Sequence, residues 1–87
     1  MQIEVKETFI KDLKSVPKDV RVKIAVLIQA MERSKTISDL TSVKKLKGYE
    51  NFYRIRVGDY RLGFAIPGDT IVLVRFLHRK EIYRFFP

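Results

Sequence analysis

Arg54, Arg56 and Arg61 fall within the stretch YRIRVGDYRLGF, Tyr53 to Phe64. Their spacing matters more than their number. Gly58-Asp59 reads as a two-residue hairpin turn between short strands. That turn sets Val57 opposite Tyr60, Arg56 opposite Arg61, Ile55 opposite Leu62 and Arg54 opposite Gly63. Side chains alternate between the two faces of a strand. One face therefore carries Tyr53, Ile55, Val57, Tyr60, Leu62 and Phe64, and the other carries Arg54, Arg56, Arg61, Gly63 and Ala65. Like charges placed opposite each other across a ladder cost a few tenths to ~1 kcal/mol. An anion seated between them removes that penalty, and the planar guanidinium fork matches phosphate oxygens. Gly63 and Ala65 leave room for it above the sheet. The competing reading is a solvated sheet surface that happens to use arginine.

Other residues extend the pattern. If Pro67-Gly68-Asp69 is a three-residue loop, Ile66 faces Thr70 and Leu62 faces Val74. Val72, Val74 and Phe76 then join the apolar face, while Arg75 and Arg79 join the arginine face. Upstream, VKKLKGYEN brings Lys44, Lys45 and Lys47 together as a basic loop or an extended lead-in to the next strand. Tyr49, Tyr83, Phe85 and Phe86 can stack on bases or serve as ordinary core residues. His78 is the one histidine, and its unperturbed pKa lies near neutrality. It reads either as a proton carrier or as a structural residue at a strand end, and its parity points to the apolar face.

These residues need a scaffold. QIEV alternates and predicts a first strand. Phe9, Leu13 and Val16 recur at helical spacing, with Thr8 as the expected N-cap. Pro17 opens a second helix with Asp19 in its first turn. That helix runs to about Arg33 with a core stripe of Val20, Ile24, Leu27, Ile28 and Met31. SKTISDLTS breaks the period and reads as a loop. Strands are expected over 52–57, 60–66 and 70–77, followed by a short basic and aromatic tail or helix. The fold class is α+β: a small antiparallel-rich sheet, β-α-α-β-β-β, with a helical hairpin packed on one face.

The 87 residues make one domain, 1–87, with 46% hydrophobic residues, enough for a small core. No apolar run approaches the ~20 residues of a membrane-spanning helix, and the N-terminal residues lack a signal-peptide pattern. Cysteine is absent, which excludes thiolate catalysis and cysteine metal sites and fits a reducing cytoplasm. One histidine and no dense carboxylate cluster argue against a two-metal nuclease site. The net charge is +8, unevenly placed. Residues 1–34 hold seven Lys/Arg against five Asp/Glu, and residues 35–87 hold eleven against five. A basic half of this kind suits a polyanion or an acidic partner.

The combination of YRIRVGDYR with HRKEIY, together with FIKDL and VPKDVRVKI at the two helices, resembles the RelE/ParE superfamily of type II toxins, in particular the RelE-like mRNA interferases. The likeness covers nearly the whole chain. It implies a cytoplasmic, ribosome-dependent endoribonuclease that acts on mRNA in the decoding site with 16S rRNA contacts, uses neither metal nor cofactor, and is neutralised by a cognate acidic antitoxin. In such enzymes a ribose 2′-OH attacks the adjacent phosphate and expels the 5′-oxygen. By the resemblance, Arg54 and Arg56 match two basic strand positions of the active site, and Arg61 matches the arginine that holds the scissile phosphate. Arg79 matches a residue that stabilises charge or the leaving group, Tyr83 one that stacks on or orients the substrate, and His78 a histidine found in part of the family. Lys44, Lys45 and Lys47 are expected to bind RNA. The best-known enzymes carry lysine where this chain has Arg54 and Arg56. Arginine keeps its proton, so these two read as charge clamps and leave the general base open. A ParE-like inhibitor of DNA gyrase and a catalytically inert RNA- or antitoxin-binding module share the fold.

Overall fold

The computed structural model describes all 87 residues. The alternating QIEV segment forms β1 (Gln2–Val5), after which the helical period takes over in α1 (Glu7–Leu13) and α2 (Lys18–Arg33). Pro17 holds the N-cap position of α2 with φ −57°, where its missing N–H costs nothing. A 3₁₀ turn over Ile37–Asp39 is closed by a capping box between Thr36 and Asp39. β2 (Val43–Lys45), β3 (Phe52–Val57), β4 (Tyr60–Ala65), β5 (Thr70–His78) and the single turn α3 (Ile82–Phe85) follow.

The strands form one five-stranded sheet in the order β1-β5-β4-β3-β2. β1 runs parallel to β5 and the other pairs are antiparallel. The chain therefore begins at one edge, crosses through both helices and re-enters at the opposite edge. This is the expected α+β architecture. β2 resolves the sequence's choice between loop and lead-in: Lys44 pairs with Arg54 in the ladder.

The core lies between the helices and one sheet face. Phe9, Val16, Ile24 and Met31 meet Ile55, Val57, Leu62, Phe64, Ile71, Leu73 and Phe76. Val20, Leu27 and Ile28 pack at its margin. Fully burying side chains of this size contributes ~1.5–3 kcal/mol each, which is what fixes the sheet beneath the helices. A second, smaller apolar group comprises Val72, Ile82 and Phe86, all buried but outside that cluster.

Two local expectations are corrected. Thr8 does not cap α1. Lys6 occupies that position without a side-chain cap, and Thr8 Oγ1 donates instead to the Val74 carbonyl at 2.7 Å. The reason is the edge of β5. β1 ends after Val5 pairs with Leu73, leaving the rest of that edge without a strand. α1 takes over its hydrogen bonds: Lys6 N–H donates to Leu73 O, Thr8 to Val74 O, and the Phe76 N–H donates to Asp12 Oδ2 at 2.9 Å. Thr8 and Asp12 lie four residues apart, on one helical face, and together they cover an edge that would otherwise be open.

The second correction concerns the β4–β5 register. Leu62 faces Phe76, not Val74, through two one-residue shifts: Ala65 already pairs with Val72, one residue beyond a three-residue loop, and a bulge between Gly63 and Phe64 adds the second. Leu73 consequently takes the core position opposite Phe64 expected of Val72, and Val72 pairs with Ala65 on the opposite face. The β3–β4 register is as expected, with Gly58 at φ 59° in the turn and Arg56 opposite Arg61.

Candidate active site

The arginine face of the hairpin forms the floor of a cleft of about 360 Å³ lined by Ser42, Lys44, Arg54, Arg56, Arg61 and Tyr83. Three strands and the C-terminal turn converge on it. β3 supplies Arg54 and Arg56 at alternate positions, β4 supplies Arg61 across the ladder from Arg56, and β2 sets Lys44 beside Arg54. α3 presents Tyr83, 70% exposed.

Two of the three guanidinium groups are held in place. Arg61 Nη1 donates to the Gly58 carbonyl at 2.9 Å and the Tyr60 carbonyl at 2.8 Å. These bonds bend it back over the turn and leave its remaining N–H groups for a ligand. Arg54 Nη1 donates to the Tyr83 hydroxyl, and its Cζ lies 4.7 Å from the Tyr83 ring centroid, within cation–π range. Burial pushes the Arg61 pKa down from its ordinary value, and the charges of Arg56, Arg54 and Arg79 push it further, against a smaller opposing pull from Asp59. Arg61 stays protonated regardless. The shift reports that the site carries excess positive charge. The single ion pair of the molecule is Asp12–Arg75, so no arginine of the cleft is ion-paired with a carboxylate. Such a constellation can hold a multiply charged oxyanion and stabilise further negative charge as it develops on that anion.

The other expected residues divide into groups. Arg79 does not line the cleft, but its backbone N–H donates to Asp59 O at 2.8 Å, fastening the end of β5 to the hairpin turn within electrostatic reach of Arg61. Lys45 and Lys47 lie in an adjoining groove of about 430 Å³ that shares Lys44, Arg54 and Tyr83 with the cleft. His78 is not brought in. It pairs with Tyr60, its ring meets the Tyr60 ring edge-on at 5.7 Å on the helix side, and its Nδ1 accepts from the Lys80 N–H at 3.2 Å. Strand parity had pointed that way. Phe86, one of the candidates for base stacking, is buried at 5% exposure, and Phe85 lies against Arg75 and Arg84. The room expected above Gly63 is filled by the Phe86 ring.

Ser42 is the cleft residue that sequence reasoning missed. Nothing in the residue type signals it. Its place follows from β2 pairing with β3, and its backbone adopts φ 63°, a left-handed conformation uncommon outside glycine and asparagine.

Comparison with known proteins shows the family and the fold. Residues 3–83 match the family model described as ParE toxin of the type II toxin–antitoxin system parDE. The chain belongs to this toxin family. The resemblance to the RelE/ParE superfamily is thereby borne out. Toxin RelE3 of Methanocaldococcus jannaschii is 49% identical over 88 residues, spanning all of both chains. The toxin fold also superposes on the crystal structure of the RelB-RelE antitoxin-toxin complex from Methanococcus jannaschii, with a TM-score of 0.85, 46% identity and coverage of 97% of this chain and 99% of the other. The archaeal RelE-RelB complex from Pyrococcus horikoshii OT3 matches at a TM-score of 0.72 over 90% of this chain and 93% of that one. At 23% identity that last match speaks for the fold alone. Within the toxin family's fold, the cleft occupies the sheet face turned away from the helical hairpin.

Proposed function

We propose that this toxin is a ribosome-dependent endoribonuclease that cleaves mRNA by metal-independent attack of a 2′-OH. The observation that carries the reading is the cleft itself: Arg54, Arg56, Arg61 and Lys44 around one space, with no carboxylate among its lining residues. A backbone phosphate is the anion this arrangement suits. Arg61, fixed by two carbonyls, grips a non-bridging oxygen. Arg56 and Arg54 oppose the charge that builds as the O2′–P bond forms and the P–O5′ bond breaks. Arg79 adds to the same field, and Tyr83 orients the nucleotide. Arginine cannot serve as the base, and His78 is turned to the other face. Proton exchange in the cleft therefore falls to Lys44 or Tyr83, the lining side chains besides Ser42 that can give up or take a proton. Lys45 and Lys47 continue the basic track and suit ribosomal RNA or the flanking message.

The same surface charge suits an acidic antitoxin segment that orders on binding, and RelE relatives are known in complex with RelB. Val22 and Val26 stand 58% and 62% exposed on α2 and offer apolar contacts to such a partner. No helix is long and apolar enough to cross a membrane, consistent with action in the cytoplasm.

Purified toxin incubated with mRNA-programmed ribosomes tests the reading. New 5′ ends within the decoding-site codon are expected, and they should vanish with Arg61→Ala. Intact message, with loss of supercoiling activity in a parallel gyrase assay, would instead assign the ParE-like inhibitor function.

A further inference from the structure

Gly63 lies within β4, where a glycine weakens a strand because it adds entropy cost and packs nothing. Its φ lies outside the left-handed region, so conformation does not require it. Close approach does. A Cβ built at this position would stand 2.7 Å from Cγ and Cδ2 of Phe86 and 2.8 Å from Cδ1. The phenyl ring rests directly on the bare backbone. Phe52 closes one side with its ring at 5.7 Å, edge-on.

Phe86 immediately follows α3, and a four-residue helix cannot hold itself together. Two buried side chains anchor it: Ile82 at 1% and Phe86 at 5% exposure. The Phe86 N–H donates to Ile82 O at 2.9 Å and closes the turn. Tyr83 sits between these anchors and is itself 70% exposed. Across the ladder, Gly63 is the partner of Arg54, the arginine that Tyr83 meets. The seat of the anchor and the arginine it serves are thus neighbours on adjacent strands.

We infer that Gly63 and Phe86 are positioning residues: the ring seated on the glycine sets the height of α3 above the sheet and thereby holds Tyr83 against Arg54. The inference rests on the proposed function for its kinetic consequence but not for its geometry. Gly63→Ala lifts the ring by a methyl group and carries Tyr83 away from Arg54. A second change, Phe86→Leu, makes room for that methyl and lets the turn settle back.

The direct probe is the side-chain NMR signal of Arg54 in purified toxin labelled at arginine, assigned by its loss in Arg54→Lys. The Tyr83 ring shifts that signal, so Tyr83→Ala supplies the uncoupled reference. Gly63→Ala is expected to move the Arg54 signal toward that reference, and Gly63→Ala/Phe86→Leu to restore it. Single-turnover cleavage on ribosomes should follow, with Gly63→Ala slower by roughly 10- to 100-fold and little further loss when Tyr83→Ala is added. If Gly63→Ala does not fold, Phe86→Leu alone, which leaves the seat underfilled, should move the signal in the same direction. An Arg54 signal unchanged in folded Gly63→Ala or in Phe86→Leu overturns the inference, as does multiplication of the Gly63→Ala and Tyr83→Ala losses. Absence of cleavage by the wild type would remove the proposed function, and the Arg54 signal would still decide the positioning role.

Discussion

Arg61 and Arg75 stand on the same face of the sheet, on neighbouring strands, and their surroundings push them in opposite directions. Arg75 meets Asp12 in a two-pronged contact, Nε at 2.8 Å and Nη2 at 3.0 Å, and this hydrogen-bonded partner raises its pKa. Burial and three other arginines lower that of Arg61. The signs have consequences for stability. A cation whose pKa is raised on folding contributes stability that is present below its unfolded pKa, so the Arg75 pair is a steady contribution across the neutral range. A cation whose pKa is lowered is a cost over the same range. One end of the face is finished structure, with its charge already matched. The other end is kept unmatched, and an arrangement that costs stability is most simply understood as a place where a ligand supplies the missing charge.

Breaking each end should give different losses. Arg61→Ala is expected to reduce cleavage by about 100- to 1,000-fold, the usual scale for removing one preorganised donor from a charge-stabilising site, while the protein stays folded by circular dichroism. Asp12→Ala should do the reverse. Asp12 serves both Arg75 and the Phe76 N–H from a side chain only 10% exposed. Its loss is expected to cost about 2 kcal/mol in a denaturation experiment, with the response to polyanion unchanged because the cleft is intact. A smaller effect sharpens the contrast. Inorganic polyphosphate should raise the melting temperature of the wild type by a few degrees, since a ligand that binds only the native state stabilises it. It should do so less for Arg61→Ala and with strong salt dependence. The smallest expected effect is the most diagnostic in sign. Arg56 is exposed and faces Arg61 across the ladder. Arg56→Gln should stabilise the free protein by a few tenths of a kcal/mol at low salt, while slowing cleavage.

How far the sequence speaks for each end follows the same division. The hairpin turn and the two-residue period were enough to place Arg54, Arg56 and Arg61 together, because a Gly-Asp turn leaves little freedom of register. Helical spacing was enough for Phe9, Ile24 and Met31. The β4–β5 register was not legible, because a bulge adds a residue without any fixed residue type to announce it. Nor was the role of α1, since Thr8 has the chemistry of an N-cap and only the early end of β1 reveals the backbone carbonyl that claims it. Gly63 was read as open space for a ligand, and the chain's own Phe86 fills it from 23 residues downstream. Ser42 depended on a three-residue edge strand too short to carry a periodic signal. Local pattern reached the arginines; the walls around them are set by contacts distant in sequence.

The central claim is that the unmatched arginines exist to hold and cleave an RNA backbone. Mapping mRNA ends on programmed ribosomes after a single turnover tests it most directly. Wild-type toxin should cut within the decoding-site codon, and Arg61→Ala should cut at least about 100-fold more slowly while Asp12→Ala, assayed below its melting temperature, cuts at a rate close to wild type. Uncut message with the wild type, or equal cleavage by Arg61→Ala, would contradict the account.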